Sequence, residues 1–84
     1  MKMHMFAVLD VKAEAYGTPF FVPHDVVATR AFVEETRNPQ SQFSRYPADY
    51  HLYKLGVWDD QDGRLEPECK FVMSADQVVK GDKA

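Results

Sequence analysis

Tyr50-His51-Leu52-Tyr53-Lys54-Leu55-Gly56-Val57-Trp58 runs into Asp59-Asp60-Gln61-Asp62-Gly63 and then into Arg64-Leu65-Glu66-Pro67-Glu68-Cys69-Lys70-Phe71-Val72. The first run alternates His51, Tyr53, Leu55 and Val57 with Tyr50, Leu52, Lys54, Gly56 and Trp58. A strand opening at Asp49 or Tyr50 and running to Trp58 therefore carries apolar side chains on both faces. The acidic segment ends in Asp62-Gly63, and Asp-Gly is a strong hairpin signal. Arg64 to Val72 thus returns antiparallel, and Pro67, which has no N–H to give a ladder, marks the returning strand as an edge.

Upstream, Asp25 followed by Val26 to Arg37 reads as a helix. Asp25 is suited to the N-cap because its carboxylate accepts from unpaired amides of the first turn. Val27, Ala28, Ala31 and Phe32 form an apolar stripe at helical spacing, leaving Thr29, Arg30, Glu34 and Arg37 to solvent. Asn38-Pro39 ends the helix. Residues 2 to 10 read as a strand with Met3, Met5, Ala7 and Leu9 on one face and His4, Phe6 and Val8 on the other. Ala13 to Pro19 is a turn, Phe20-Phe21-Val22 a short antiparallel strand, Gln40 to Pro47 a polar irregular segment, and Ser74 the cap of a short C-terminal helical turn from Ala75 to Lys80. The predicted fold class is α+β: a small antiparallel sheet in the order strand, strand, helix, strand, strand, with one main helix packed on one face.

The chain has 84 residues, 45% hydrophobic and 13% aromatic, with a net charge of −3. That suits one folded domain, expected over residues 1–79 with a solvated tail at 80–84, and gives no general electrostatic reason to bind polyanions or membranes. A single cysteine, Cys69, cannot close an intramolecular disulfide and fits a reducing cytoplasm; on an edge strand, its side chain is expected in the core. The apolar run from Met5 to Leu9 is too short for a signal peptide, and no stretch reaches the ~20 apolar residues of a membrane span. One helix shields only one face of a sheet whose strands are apolar on both. The expected cover for the second face is another copy of the chain, in a homodimer contacting through Phe6, Tyr50, Leu52 and Trp58.

Several phrases, taken in order, carry a resemblance: Asp10-Val11-Lys12-Ala13, Ala28-Thr29-Arg30-Ala31-Phe32, Arg37-Asn38-Pro39, Ser44-Arg45-Tyr46-Pro47-Ala48-Asp49-Tyr50, Leu52-Tyr53-Lys54-Leu55-Gly56 and Asp62-Gly63. The chain resembles the small nonstructural protein of single-stranded DNA microviruses of the gokushovirus group. The resemblance covers residues 1 to 73 and is most specific from Tyr46 to Gly56. It departs at Val57-Trp58, where the family more often has an acidic-aromatic pair. The resemblance implies a nonstructural protein of the infected bacterial cytoplasm, associated with viral DNA replication or with the switch from duplex synthesis to single-strand production and packaging.

Patterns that would carry catalysis or metal binding are weak. An EF-hand reading of Asp60-Gln61-Asp62-Gly63 puts Trp58 at position one and Cys69 at position twelve, so the terminal ligands are missing. His4, His24, His51 and Cys69 lack the short spacings of zinc sites. The four glycines are dispersed, leaving no phosphate loop. The expectation is no catalytic residue, no metal and no cofactor. Charge is uneven, however. Residues 30 to 54 carry Arg30, Arg37, Arg45 and Lys54 against Glu34, Glu35 and Asp49, and Phe43, Tyr46, Tyr50, Tyr53 and Trp58 fall between 43 and 58. Interleaved basic and aromatic side chains suit single-stranded nucleic acid, with rings on bases and cations along phosphates. Two functions remain open. One is a non-enzymatic homodimeric accessory protein contacting a viral or host replication protein. The alternative is a single-stranded DNA binder. Arg30, Arg37, Arg45, Tyr46, Tyr50 and Lys54 are the candidate nucleic-acid or partner-binding residues in either case.

Overall fold

The elements follow in the order β1 (Lys2–Asp10), β2 (Ala15–Tyr16), β3 (Phe20–Val22), α1 (Asp25–Arg37), α2 (Gln42–Arg45), a 3-10 turn at Pro47–Asp49, β4 (Tyr50–Asp59), β5 (Arg64–Ser74) and α3 (Ala75–Asp82), in a computed structural model that describes residues 1–82. The antiparallel α+β fold expected from the sequence is present. β1 pairs with β4 on one side and with both β2 and β3 on the other, giving the order β2-β1-β4-β5 with β3 beside β1. The Asp-Gly signal closes the β4–β5 hairpin: Asp59 pairs with Arg64, the Gly63 N–H donates to the Asp59 carbonyl at 2.9 Å, and Gly63 takes φ 65°, a left-handed conformation that glycine adopts without steric penalty.

Several local expectations change. The turn at 13–19 contains β2, because the Asp10 carboxylate accepts from the Ala13 N–H at 3.1 Å and Glu14 turns back at φ 54°, which lays Ala15 and Tyr16 against Asp10 and Leu9. The irregular segment at 40–47 contains α2, capped by the Ser41 hydroxyl accepting from the Phe43 N–H at 3.1 Å. Ser74 does cap the last helix: its Oγ accepts from the Gln77 N–H while Gln77 Oε1 accepts from the Ser74 N–H, a reciprocal capping box. That helix is longer than one turn and takes in Lys80 to Asp82 of the expected tail; Lys83 and Ala84 lie outside the described residues. Asp25 is not the N-cap. His24 holds that position, without a side-chain cap, and Asp25 sits in the first turn with its carboxylate pointing across to the sheet.

The core lies between the sheet and the helices. Phe6, Val22 and Leu52 from the strands meet Ala28 and Phe32 of α1 and Ala75 and Val78 of α3. On α1 the buried positions are Ala28, Phe32 and Thr36, at i, i+4 and i+8, while Val27 and Ala31 of the expected stripe are exposed. Buried Thr36 is satisfied by donating to the Phe32 carbonyl at 2.8 Å, as a polar group without water must be.

A bulge decides which strand residues face the helices. Met5 pairs with Gly56 and Phe6 with Lys54, so Leu55 is an extra residue in β4 and the alternation changes phase there. Before the bulge Tyr50, Leu52 and Lys54 share the face of Phe6 and Val8; after it Gly56 and Trp58 share the opposite face with Met5 and Met3. β5 answers with irregularities of its own, and Cys69 among them adopts φ 52°. Cys69 is therefore exposed, not directed into the core as its strand position suggested.

Candidate interaction surfaces

All three helices flank one side of the sheet, so the other side stays open. Tyr16 from β2 reaches over buried Ala7 to Tyr53, with ring centroids 5.5 Å apart in an edge-to-face arrangement. Phe71 meets Tyr53 at 5.8 Å and His51 at 5.5 Å in the same manner. Toward the hairpin tip, the cross-strand row Met3, Trp58 and Leu65 continues the surface. Tyr16 is 45%, Phe71 44% and Leu65 47% exposed, values that leave aromatic and aliphatic area in water with no covering element among the described residues. The Tyr16 hydroxyl lies 4.0 Å from Cys69 Sγ. Partial burial, then the thiol's hydrogen bond and charge, push the Tyr16 pKa upward.

The residues chosen from sequence divide into separate places. Phe6 is 1% and Leu52 0% exposed, so both belong to the core and offer nothing to a second copy. Apolar alternation on both faces of a strand does not say which face the helices cover, and here they cover the face of Phe6 and Leu52. Tyr50 also faces the helices: its ring packs 4.7 Å from Phe43, and its hydroxyl donates to Gln42 Oε1 at 2.7 Å. Partial burial, followed by the charges of Asp10 and Asp49, raises its pKa. Of the four expected dimer residues only Trp58 lies on the open face.

Lys54 is also unavailable. Its ammonium, with a side chain only 11% exposed, sits 3.0 Å from Asp25 Oδ1 and 3.8 Å from Glu68 Oε2. It stands directly opposite Lys70 in the ladder, and the two carboxylates offset that like-charge pairing. His4 Nδ1 lies 3.1 Å from the same Asp25 oxygen, out of line for a hydrogen bond. The group ties α1 to three strands. Arg30 and Arg37 border a shallow groove on the outer side of α1 together with Thr29, Val33 and Glu34. Arg45 is exposed at the end of α2, beside Tyr46, which is 58% exposed. The predicted basic-aromatic group thus keeps Arg45 with Tyr46 as one pair and Arg30 with Arg37 as another. Tyr16 and Phe71 were not singled out, and Tyr53 and His51 were weighed only as a base-stacking ring and a metal ligand, because the phase of each strand had to be known before these rings could be assigned to one face.

Among the described residues no group of three or more His, Cys, Asp or Glu could hold a metal ion, and no helix is long and apolar enough to cross a membrane.

The fold and these surfaces define a two-layer α+β protein with an uncovered aromatic sheet face. The chain matches the family model described as Phage ORF5 protein over residues 3–78, and it belongs to that family of phage proteins. Comparison with curated proteins and with solved structures gives no match.

Proposed function

We propose that this phage protein is a non-enzymatic accessory of viral DNA replication in a single-stranded DNA microvirus of the gokushovirus group. It works in the host cytoplasm through protein contacts, as a homodimer joined across the open sheet face. The observation that carries this reading is the continuous apolar surface through Tyr16, Tyr53 and Phe71 to Trp58 and Leu65. The molecule measures 43 × 26 × 19 Å, and a stable homodimer has to bury ~800 Å² on each partner. Sedimentation equilibrium at micromolar concentration is expected to give twice the 9.7 kDa chain mass, falling to one chain mass in Tyr53→Arg. A parent protein that stays at one chain mass overturns the homodimer. For the replication role, infection with phage lacking this gene should lower the ratio of single-stranded to duplex viral DNA; an unchanged ratio rejects it.

Exposed Tyr46 beside Arg45 favours a second reading, single-stranded DNA binding by this pair. Filter binding at two salt concentrations tests it, since phosphate contacts make affinity fall with salt. Tyr46→Ala and Arg45→Ala should each weaken such binding; equal affinity in both variants removes the pair.

A further inference from the structure

A cleft of about 420 Å³ opens between α1, α2 and the strand edge at β3. Buried Phe32 and half-buried Val8, Phe20 and Phe43 line its depth, and exposed Ala31 and Glu35 of α1 face Gly17 and Thr18 at its mouth. We propose that this cleft and the free edge of β3 together bind an extended segment of a partner protein, one carrying an aromatic side chain next to a lysine or arginine. The proposal rests on the reading that the protein acts through protein contacts and names the surface that makes them.

Three observations fix the chemistry of the occupant. The first is volume and lining: the cleft has room for an indole or phenyl ring, and its depth is apolar, so filling it removes aromatic surface from water at both partners. The second is charge. Glu35 is the one charged residue among those lining the cleft, and a carboxylate at an apolar mouth favours a cation beside the inserted ring. The third is backbone. Among the described residues β3 pairs only with β1, so the far edge of its three residues, Phe20 to Val22 between Pro19 and Pro23, is left for a short strand addition, where main-chain hydrogen bonds supply affinity and a neighbouring pocket supplies specificity. Phe20 belongs to both features, which places a ladder along β3 within reach of the cleft. The opposite edge of the sheet is unsuited to the same use: β5 is broken by Pro67 and by Cys69 at φ 52°.

The test is fluorescence anisotropy of the full chain with a short dye-labelled peptide of alternating threonine and valine, bearing one central tryptophan flanked by lysines. Saturable binding is expected. Replacing the tryptophan by serine should weaken it at least ~tenfold, as loss of a buried aromatic anchor does, and exchanging the lysines for glutamates should weaken it further. Ala31→Phe, at an exposed helix position, should block the mouth and abolish binding with an unchanged melting curve. Glu35→Gln should lower affinity for the lysine peptide by no more than about fivefold, as for an exposed ion pair. Amide shifts in labelled parent protein should map to Val8, Thr18, Phe20 and Ala31, which keeps the proposal testable if Ala31→Phe does not fold. Absence of saturable binding, equal affinity for the serine peptide, or shifts confined to Tyr53 and Phe71 overturns it. Sedimentation of Ala31→Phe separates the two proposals: a dimer that no longer binds peptide supports the cleft as a site for another protein, and a chain reduced to one chain mass would make a second copy the occupant and overturns it.

Discussion

On one face of the sheet Phe6 and Leu52 lie beneath α1 and α3 with almost no exposure, while on the other Tyr16 and Phe71 keep nearly half of theirs. Both faces are built from the same residue types, from the same strands, within a few residues of one another. Apolar content alone therefore does not say which face a small protein buries by itself. The covered face obtains its burial from helices held by one long-range tie, Asp25 to Lys54, and one local one, the Ser74 capping box. The open face has ring-to-ring contacts and the Tyr16–Cys69 contact within its own layer. Packing on the first is a property of one chain. On the second, the rings stay about half exposed in a single chain.

The largest expected contrast sets Leu52→Ala against Phe71→Ala. Removing a fully buried leucine leaves a cavity and should cost about 2–5 kcal/mol in urea unfolding, whereas the exposed Phe71 ring should cost less than ~1 kcal/mol in dilute, monomeric protein. Equal costs would mean that the open face is covered within the single chain. Gly56→Ala comes next. A Cβ there would stand 2.4 Å from the Glu66 carbonyl oxygen and 3.3 Å from Pro67 Cα, so β4 and β5 must separate, and a loss of about 1–3 kcal/mol is expected. A neutral result would show that the hairpin arm flexes freely. Ser74→Ala should remove about 1 kcal/mol by leaving the Gln77 amide without its cap, with thermal unfolding as the readout.

The smallest effect is a pH dependence that touches both faces. Tyr16 on the open face and Tyr50 on the covered one have pKa values raised above the ordinary 10.0 of tyrosine. A phenol held protonated in the folded state adds stability that is complete below the unfolded pKa and is lost as pH rises through the folded value. Stability should therefore decline above about pH 10, and Tyr16→Phe and Tyr50→Phe should each flatten that decline. A profile unchanged in both variants removes the two phenols as its source.

What could be read from residue order was what local chemistry dictates. Asp62-Gly63 set the hairpin, Pro67 the edge, Asn38-Pro39 the end of α1, and Ser74 with Gln77 the start of α3. What could not be read depended on partners distant in sequence. Leu55 gives no sign that it is a bulge, because its own neighbours alternate normally; only the pairing of Met5 with Gly56 and Phe6 with Lys54 reveals it. That one residue puts Trp58 on the face of Tyr53, where unbroken alternation would leave it on the face of Tyr50 and Leu52. Asp25 has every local feature of a cap, and the cation of Lys54, far along the chain, draws its carboxylate away. For the candidate site, exposure of Arg45 and Tyr46 was legible from their place between ordered elements, whereas the Tyr16, His51 and Phe71 rings come from three strands and meet only once the sheet is assembled.

The strand order β2-β1-β4-β5 also has a kinetic consequence. β4 and β5 are joined by a tight turn and can zip together as a local hairpin on a time scale of about 1–10 μs. β1 must instead find β4 across the whole intervening chain, since Lys2 pairs with Asp59 and Asp10 with Tyr50. The segment between them includes all of α1 and both short strands, so its closure entropy is met before the ladder returns any stabilisation. The insertion of β1 beside a preformed hairpin is thus the expected slow step of folding. Until it happens the hairpin presents its aromatic side chains and the unpaired edge of β4, besides that of β5, to solvent, which makes that interval the point at which newly made chains are most exposed to aggregation.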